Sequence, residues 1–498
     1  MDIFDPHFFV VTLALIGLVI IIAALLSGLI DRSDLPQVAV FLALGAILGP
    51  AGLGLLNVTL ESPIVAVVAT LSLVLVLFTD AVSFSLAEIR RHGRLAVLVL
   101  GPGTLLTAAL VALVGWSLLG LAPAAAAILG AALASTDPIM LRGLIRRPGL
   151  PEPVRLALRL ESGLNDAVLL PIIFVAMPFL LQSKPPSQTQ WVRIGLDFFL
   201  LGPGAGIAVG LFGLSALDMI RRKIGVRRDY ESLYSLGLAF TAYAAAEAVH
   251  GSGFLAAFAA GVTIAALDVE LCDCFLEYGQ TTAEMALLFA FVLFGSSLIW
   301  SGFTVLRLPT VFFAIAVVLI RPVAFFLSLA GTQLDYRSRI LIAWFGPRGL
   351  SSLLLILLPV FAGATGSQQL FALCCLVVIL SVAVHGGALM FLKRDAVPVQ
   401  EIKAKSLTGD LLQNVQAPST ALDNETRGES AVRISVSELR QLQQSGAPIL
   451  VLDVRKDRNF ESSDLRAQGA LRISPDQTVQ RLMELQIPRQ TWLIAFCA

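Results

Sequence analysis

Leu160-Glu161-Ser162-Gly163-Leu164-Asn165-Asp166-Ala167-Val168 lies inside a largely apolar run from Val154 to Leu181. At about 1.5 Å rise per residue, a helical run of this length crosses a hydrocarbon layer about 30 Å thick. An ionisable side chain at that depth costs about 2.5–3.5 kcal/mol or more. Here Glu161 and Asp166 stand beside Ser162 and Asn165. Such a cluster marks a functional site in a membrane helix, so the rest of the chain is read for what can pair with it.

The chain has 498 residues, 57% of them hydrophobic and 14% charged, and its mean hydropathy is +0.84. Repeated apolar runs fill the region before residue 395. Isolated strands cannot satisfy their backbone in lipid, so the pattern predicts an all-α polytopic membrane protein. Thirteen spans are expected, at about 8–30, 36–56, 63–85, 95–120, 122–147, 154–181, 194–217, 231–250, 253–268, 283–300, 304–330, 337–360 and 367–392. The N-terminus shows no basic region or cleavage site, so the first helix reads as retained. Net charge is zero, which gives no reason to expect nucleic acid as a partner. The five cysteines do not form a disulfide framework, and Cys272-Asp273-Cys274 lacks the further ligands of a metal site.

Loop charge sets the orientation. Arginines and lysines gather after odd-numbered spans, as in Arg90, Arg91 and Arg94, or Arg142, Arg146 and Arg147, or Arg221, Arg222 and Lys223; after even-numbered spans stand Lys184, Arg193 and Arg307. The positive-inside rule then places the N-terminus outside and the C-terminus in the cytoplasm of a multi-pass protein of the cell (inner) membrane.

The fifth span contains Ser135-Thr136-Asp137-Pro138. Proline removes a helical hydrogen bond and clashes with the preceding turn, so the helix should unwind near Thr136. Unwound carbonyls beside a carboxylate are hard oxygen ligands suited to an alkali cation; a structural kink with a satisfied Asp is the alternative. In the sixth span Ser162 and Asp166 share a face, and Asn165 lies one step round. Glu161 is offset from Asp166 by roughly 140° and needs its own cation. Phe345-Gly346-Pro347-Arg348-Gly349 offers one in a second broken helix, which predicts a Glu161–Arg348 ion pair; Arg348 contacting the site directly is the other reading. Asp80, at the end of the third span, either completes the site or lines its cytoplasmic funnel, or is simply an Asp near a helix end. Arg321 reads as structural, and Glu247, His250 and His385 as groups satisfying helix contacts.

These motifs, together with Ser252-Gly253-Phe254-Leu255-Ala256, resemble the cation–proton antiporter superfamily in its NhaP/NHE-type sodium/proton exchanger branch, over about residues 8–392. The resemblance implies inverted repeats with two broken crossing helices, and a homodimer with a dimerisation domain and a mobile core domain. It implies a secondary transporter, not an enzyme, working in pH homeostasis, with Na⁺ (or Li⁺ or K⁺) and H⁺ as substrates and no cofactor. Asp166 takes the place of the ion- and proton-binding carboxylate, with Thr136 (through its carbonyl), Ser162 and Asp137 as partners; Asp166, Ser162 and Thr136 would hold the Na⁺. Asn165 stands where electrogenic relatives carry a second Asp, which implies electroneutral exchange. Asp80 stands where many relatives have Glu.

Composition changes near Asp395. The expected organisation is an antiporter domain at 1–394, a flexible cytoplasmic linker at 395–430, and a small soluble α/β segment at 431–498, with a helix over Glu438–Gln444. Leu452-Asp453-Val454-Arg455, Gln468-Gly469-Ala470-Leu471-Arg472-Ile473 and Ala495-Phe496-Cys497 resemble part of a rhodanese domain, with Cys497 at the persulfide-carrying position. The given chain stops one residue later, before the loop whose N–H groups would activate that thiol, so no sulfurtransferase activity is expected of this segment. Two rival readings remain. A membrane-anchored sulfurtransferase or redox sensor would not need so many charged spans. A cation channel would pass cations without moving protons.

Overall fold

The computed structural model describes residues 37–84, 92–145, 150–181, 187–267, 273–394, 449–454, 470–473 and 491–496, with isolated helical positions at 14, 17, 18, 20–22, 25 and 89. It divides into two compact units, Met1–Pro398 and Val399–Ala498.

The first unit is all-α. Its helices are α1 (Gln37–Leu48), α2 (Pro63–Ser83), α3 (Gly93–Leu98), α4 (Thr104–Leu119), α5 (Pro123–Ala134), α6 (Pro138–Ile145), α7 (Glu152–Ala176) and α8 (Gln188–Leu196). They continue with α9 (Gly202–Lys223), α10 (Arg228–Ala248), α11 (Gly253–Ala266), α12 (Asp273–Ser296), α13 (Leu308–Ser328), α14 (Tyr336–Trp344), α15 (Leu350–Phe361) and α16 (Ser367–Arg394). Proline opens α2, α5 and α6, where its missing N–H and fixed φ suit a first turn. Side-chain caps start others: Ser187 accepts from Gln190 N–H and Ser252 from Leu255 N–H. At the start of α14, outside the apolar segments, Asp335 accepts from Ser338, and these bonds hold its carboxyl below its ordinary pKa.

Among the described residues, seven helical segments are long and apolar enough to cross a membrane, or eight if the pair Tyr278–Ser296 and Leu298–Val305, bent by 48°, is one span. The shorter apolar helices are α1, α11 and α15. The chain is thus a polytopic membrane protein. The expected first span falls almost wholly outside the described residues. The expected tenth span, 283–300, begins instead at Asp273 and ends in the bend at Ser297, followed by a 3₁₀ segment.

The helices pack as two bundles. α1, α2, α9, α10, α11 and α12 form one, the scaffold bundle; α3–α4, α5–α6, α7, α13, α14–α15 and α16 form the other, the core bundle. α2 joins them by packing on α7 and α15, and so does the 3₁₀ segment Leu298–Val305 that follows α12, which packs on α16. Gly163 makes the first contact close, because a Cβ there would press on the Phe84 ring at 2.7 Å.

In the second unit, β1 (Ile449–Asp453), β2 (Leu471–Arg472) and β3 (Trp492–Phe496) form a parallel sheet in the order β2-β1-β3. Cys497 and the helix expected over Glu438–Gln444 lie outside the described residues.

Candidate cation and proton site

Two helices break where proline and glycine interrupt them, and the breaks meet. Residues 135–137 separate α5 from α6, and residues 345–349 separate α14 from α15. The Asp137 N–H donates to the Pro347 carbonyl at 2.9 Å. The Asp137 carboxylate accepts from Ile139 N–H (2.8 Å) at the start of α6 and from Leu350 N–H (2.7 Å) at the start of α15. One carboxylate therefore caps two helix N-termini, which favour negative charge. A Cβ at position 349 would overlap the Asp137 carboxylate.

Glu161 does not pair with Arg348 as the sequence suggested. Arg321 holds it with two donors, Nε to Oε1 (3.1 Å) and Nη2 to Oε2 (2.5 Å), with both residues buried. Gly346 leaves the space for this, since a Cβ there would overlap the Arg321 guanidinium. Arg321 also donates to the carbonyls of Ile342 and Ala343 and lies 4.3 Å over the Phe325 ring. Arg348 is taken up by the backbone of the other break. Its Nη1 donates to the carbonyls of Ala134 (2.8 Å) and Ser135 (2.9 Å), and to Thr136 Oγ1 (3.1 Å). Unwound carbonyls must find donors, and the buried guanidinium supplies them. Thr136 links the two ionic groups, donating its hydroxyl to Glu161 Oε1 at 2.8 Å.

Asp166, only 4% exposed, accepts from the Ser135 hydroxyl at 2.5 Å. No arginine, lysine or histidine pairs with it among the described residues. Ser162, on the same face, donates to the Arg159 carbonyl at 3.3 Å. Asn165 is fully buried, and neither atom of its amide has a hydrogen-bond partner, nor does Arg348 Nη2. Asp80, on α2, lies against Gly163 of α7 and within the electrostatic reach of Arg142, Asp166 and Arg159. The breaks thus gather Ser135, Thr136, Asp137, Glu161, Asp166 and Arg348; Ser162 and Asn165 flank Asp166 along α7, and Asp80 lies across from them on the other bundle. His385 sits beside this network, bonded through Ser381, whose hydroxyl accepts the Arg348 N–H at 2.7 Å. Glu247 accepts from Gly253 N–H at 3.0 Å, as a helix contact.

Ser135 is the residue that sequence reasoning did not place on Asp166. It stands in the quoted motif, but an unwound residue has no helical face from which its direction can be read.

A family model for the transmembrane sodium/hydrogen exchanger matches residues 17–394. The K(+)/H(+) antiporter NhaP of Alkalimonas amylolytica is 26% identical over 386 residues, covering 76% of this chain and 65% of that protein. The K(+)/H(+) antiporter NhaP2 of Shewanella baltica is 27% identical over 376 residues, covering 74% and 64%. The chain therefore spans slightly less than two thirds of the length of these relatives. In fold it is similar to the sodium proton antiporter MjNhaP1 of Methanocaldococcus jannaschii, with a TM-score of 0.62 at 19% identity over 75% of this chain and 98% of that one.

Proposed function

Because the chain belongs to the transmembrane sodium/hydrogen exchanger family, a family of secondary transporters, we propose that it exchanges a monovalent cation for H⁺ at Asp166. One observation carries the reading. Of the two carboxylates that α7 buries, Glu161 is neutralised by Arg321, whereas among the described residues Asp166 has only a hydroxyl on it. A buried carboxylate without a fixed countercharge needs a proton or a cation. It can hold either but not both, and this competition couples the two fluxes once the site is exposed alternately to each side.

The other residues position this carboxylate. Ser135 orients Asp166. Asp137 pins the two breaks together and reaches a bound cation through water. Ser162 and the Thr136 carbonyl are the neutral oxygen ligands, and the unpartnered Asn165 amide supplies a further polar contact. Asp80 stands on the approach. In this reading the core bundle moves against the scaffold bundle, the chain has thirteen spans in inverted repeats with the N-terminus outside, and two copies form a homodimer. The membrane domain ends near residue 394, a linker follows to about 430, and the C-terminal parallel sheet belongs to a partial rhodanese-like segment facing the cytoplasm.

Na⁺ is the first cation to test. K⁺ is the second reading, favoured by the names of the NhaP relatives. Proteoliposomes with an internal pH dye and an imposed proton gradient decide the matter. Alkalinisation on adding NaCl, lost in Asp166→Asn, is the expected result. A response to KCl alone changes the substrate and keeps the mechanism. Folded protein that moves no protons with any cation overturns the reading.

A further inference from the structure

Two arginines of the core bundle cross to the scaffold bundle at the end where α2 and α6 terminate. Arg142, in the last turn of α6, forms an ion pair with Glu284 on α12. Arg159, on α7, donates to the Ser83 carbonyl at the end of α2 (3.1 Å) and lies 5.5 Å over the Phe84 ring. Close by, Gln280 of α12 donates to the Ser83 hydroxyl at 2.8 Å, which joins α12 to α2 within the scaffold. Asp80 lies one turn further along α2, with Arg142, Asp166 and Arg159 in its electrostatic surroundings. The Arg142 and Glu284 side chains keep 33% and 28% of their exposure, so water reaches the pair.

We propose that the Arg142–Glu284 ion pair is a latch between the two bundles at the mouth leading to Asp80 and Asp166, holding them in the conformation described here and opening in each transport cycle. The proposal rests on the alternating exposure set out above. By loop charge this mouth is the cytoplasmic one. A part-exposed ion pair adds little to folding stability. Placed between two bodies that must move apart, it acts instead on the balance between their arrangements, because only the present one lets guanidinium and carboxylate meet. Arg142 and Glu284 are positioning residues here and need not touch the cation.

The test uses the full chain in proteoliposomes. In Arg142→Cys/Glu284→Cys, with Cys272, Cys274 and Cys497 replaced by serine, a short bis-methanethiosulfonate reagent bridges the two thiols and dithiothreitol releases them. Bridging should block cation-driven proton movement, and reduction should restore it, while each protein with one of the two introduced cysteines, keeping the buried Cys374 and Cys375, ignores the reagent. Exchange that persists in fully bridged protein overturns the latch, as does a pair of thiols that fails to bridge. A second arm needs no transport. The single reversals Arg142→Glu and Glu284→Arg should raise the rate at which an impermeant maleimide labels Ser83→Cys by about fivefold or more, the usual scale of coupling between two states. The double reversal should return it to the starting value, and a labelling rate indifferent to these charges sinks the proposal. If the parent protein moves no cation at all, the exchange reading fails and the labelling arm still decides the latch. If the parent exchanges and bridging is silent, only the latch fails.

Discussion

The backbone N–H of Asp137 and the carbonyl of Pro347 meet at 2.9 Å, tying the break in one helix to the break in the other. The Asp137 carboxylate completes the tie, and Gly349 leaves the room for it. Gly349→Ala should therefore push the carboxylate off the Leu350 N–H. A buried donor left unpaired costs about 1–3 kcal/mol, which thermal unfolding in detergent should show, together with loss of exchange. Gly143→Ala on α6 is the control. Nothing lies within 4 Å of its added Cβ, and helix propensity makes it neutral or stabilising by up to about 1 kcal/mol.

The partner of Glu161 is open to a direct test. Removing Arg321 leaves a buried carboxylate without its countercharge, so Arg321→Leu should destabilise by about 3–5 kcal/mol. A double-mutant cycle between Glu161→Gln and Arg321→Gln should give a coupling of about 0.5–3 kcal/mol, larger than the cycle between Glu161→Gln and Arg348→Gln. Equal couplings would mean that Arg348 shares the charge of Glu161 through Thr136, and the assignment of a dedicated pair would be withdrawn.

That pairing also marks the limit of what the sequence shows. Pro138, Gly346, Pro347 and Gly349 reveal both breaks, because loss of an N–H or a Cβ has local consequences that need no knowledge of neighbours. Glu161 reveals that it needs a cation. Which of two intramembrane arginines serves it is a tertiary matter, decided by the gap over Gly346 and by the carbonyls of Ala134 and Ser135 that claim Arg348. Arg142 reads as a loop charge that helps to orient the chain. Its partner Glu284 lies 142 residues away, and no periodicity connects them.

Ser135 should matter for affinity more than for folding. Its hydroxyl is the hydrogen-bond donor on Asp166, and a bond to a charged acceptor contributes about 1.5–3 kcal/mol. Ser135→Ala should keep the fold and keep coupled exchange, with the KM for the cation raised roughly tenfold or more and a smaller change in maximal rate. The comparison is made in proteoliposomes over a cation series. An unchanged KM would show that the hydroxyl does not orient the carboxylate in the cation-bound form.

The exchange proposed at Asp166 carries an expected stoichiometry, read from the carboxylates without a fixed countercharge. Glu161 has Arg321. Asp137 has two helix N-termini. Asp80 has Arg159 and the Glu284-paired Arg142 in its surroundings, with Asp166 as a like charge. Among the described residues Asp166 has none of these, so the proposed cycle is expected to carry one cation one way and one proton the other on that single charge. Such a cycle moves no net charge. Moving one net charge per cycle would tie the cation gradient to voltage by about 2.3 kcal/mol per 100 mV, roughly a fiftyfold change at equilibrium. With the potential clamped by valinomycin and K⁺, and Na⁺ as the exchanged ion, the final Na⁺ gradient should shift by less than about twofold over 100 mV, far below that figure. A shift close to fiftyfold would show that a second acidic group takes part in the cycle. Asp80→Asn would then be the next variant to make, because Asp80 is the carboxylate within electrostatic reach of Asp166 from the other bundle.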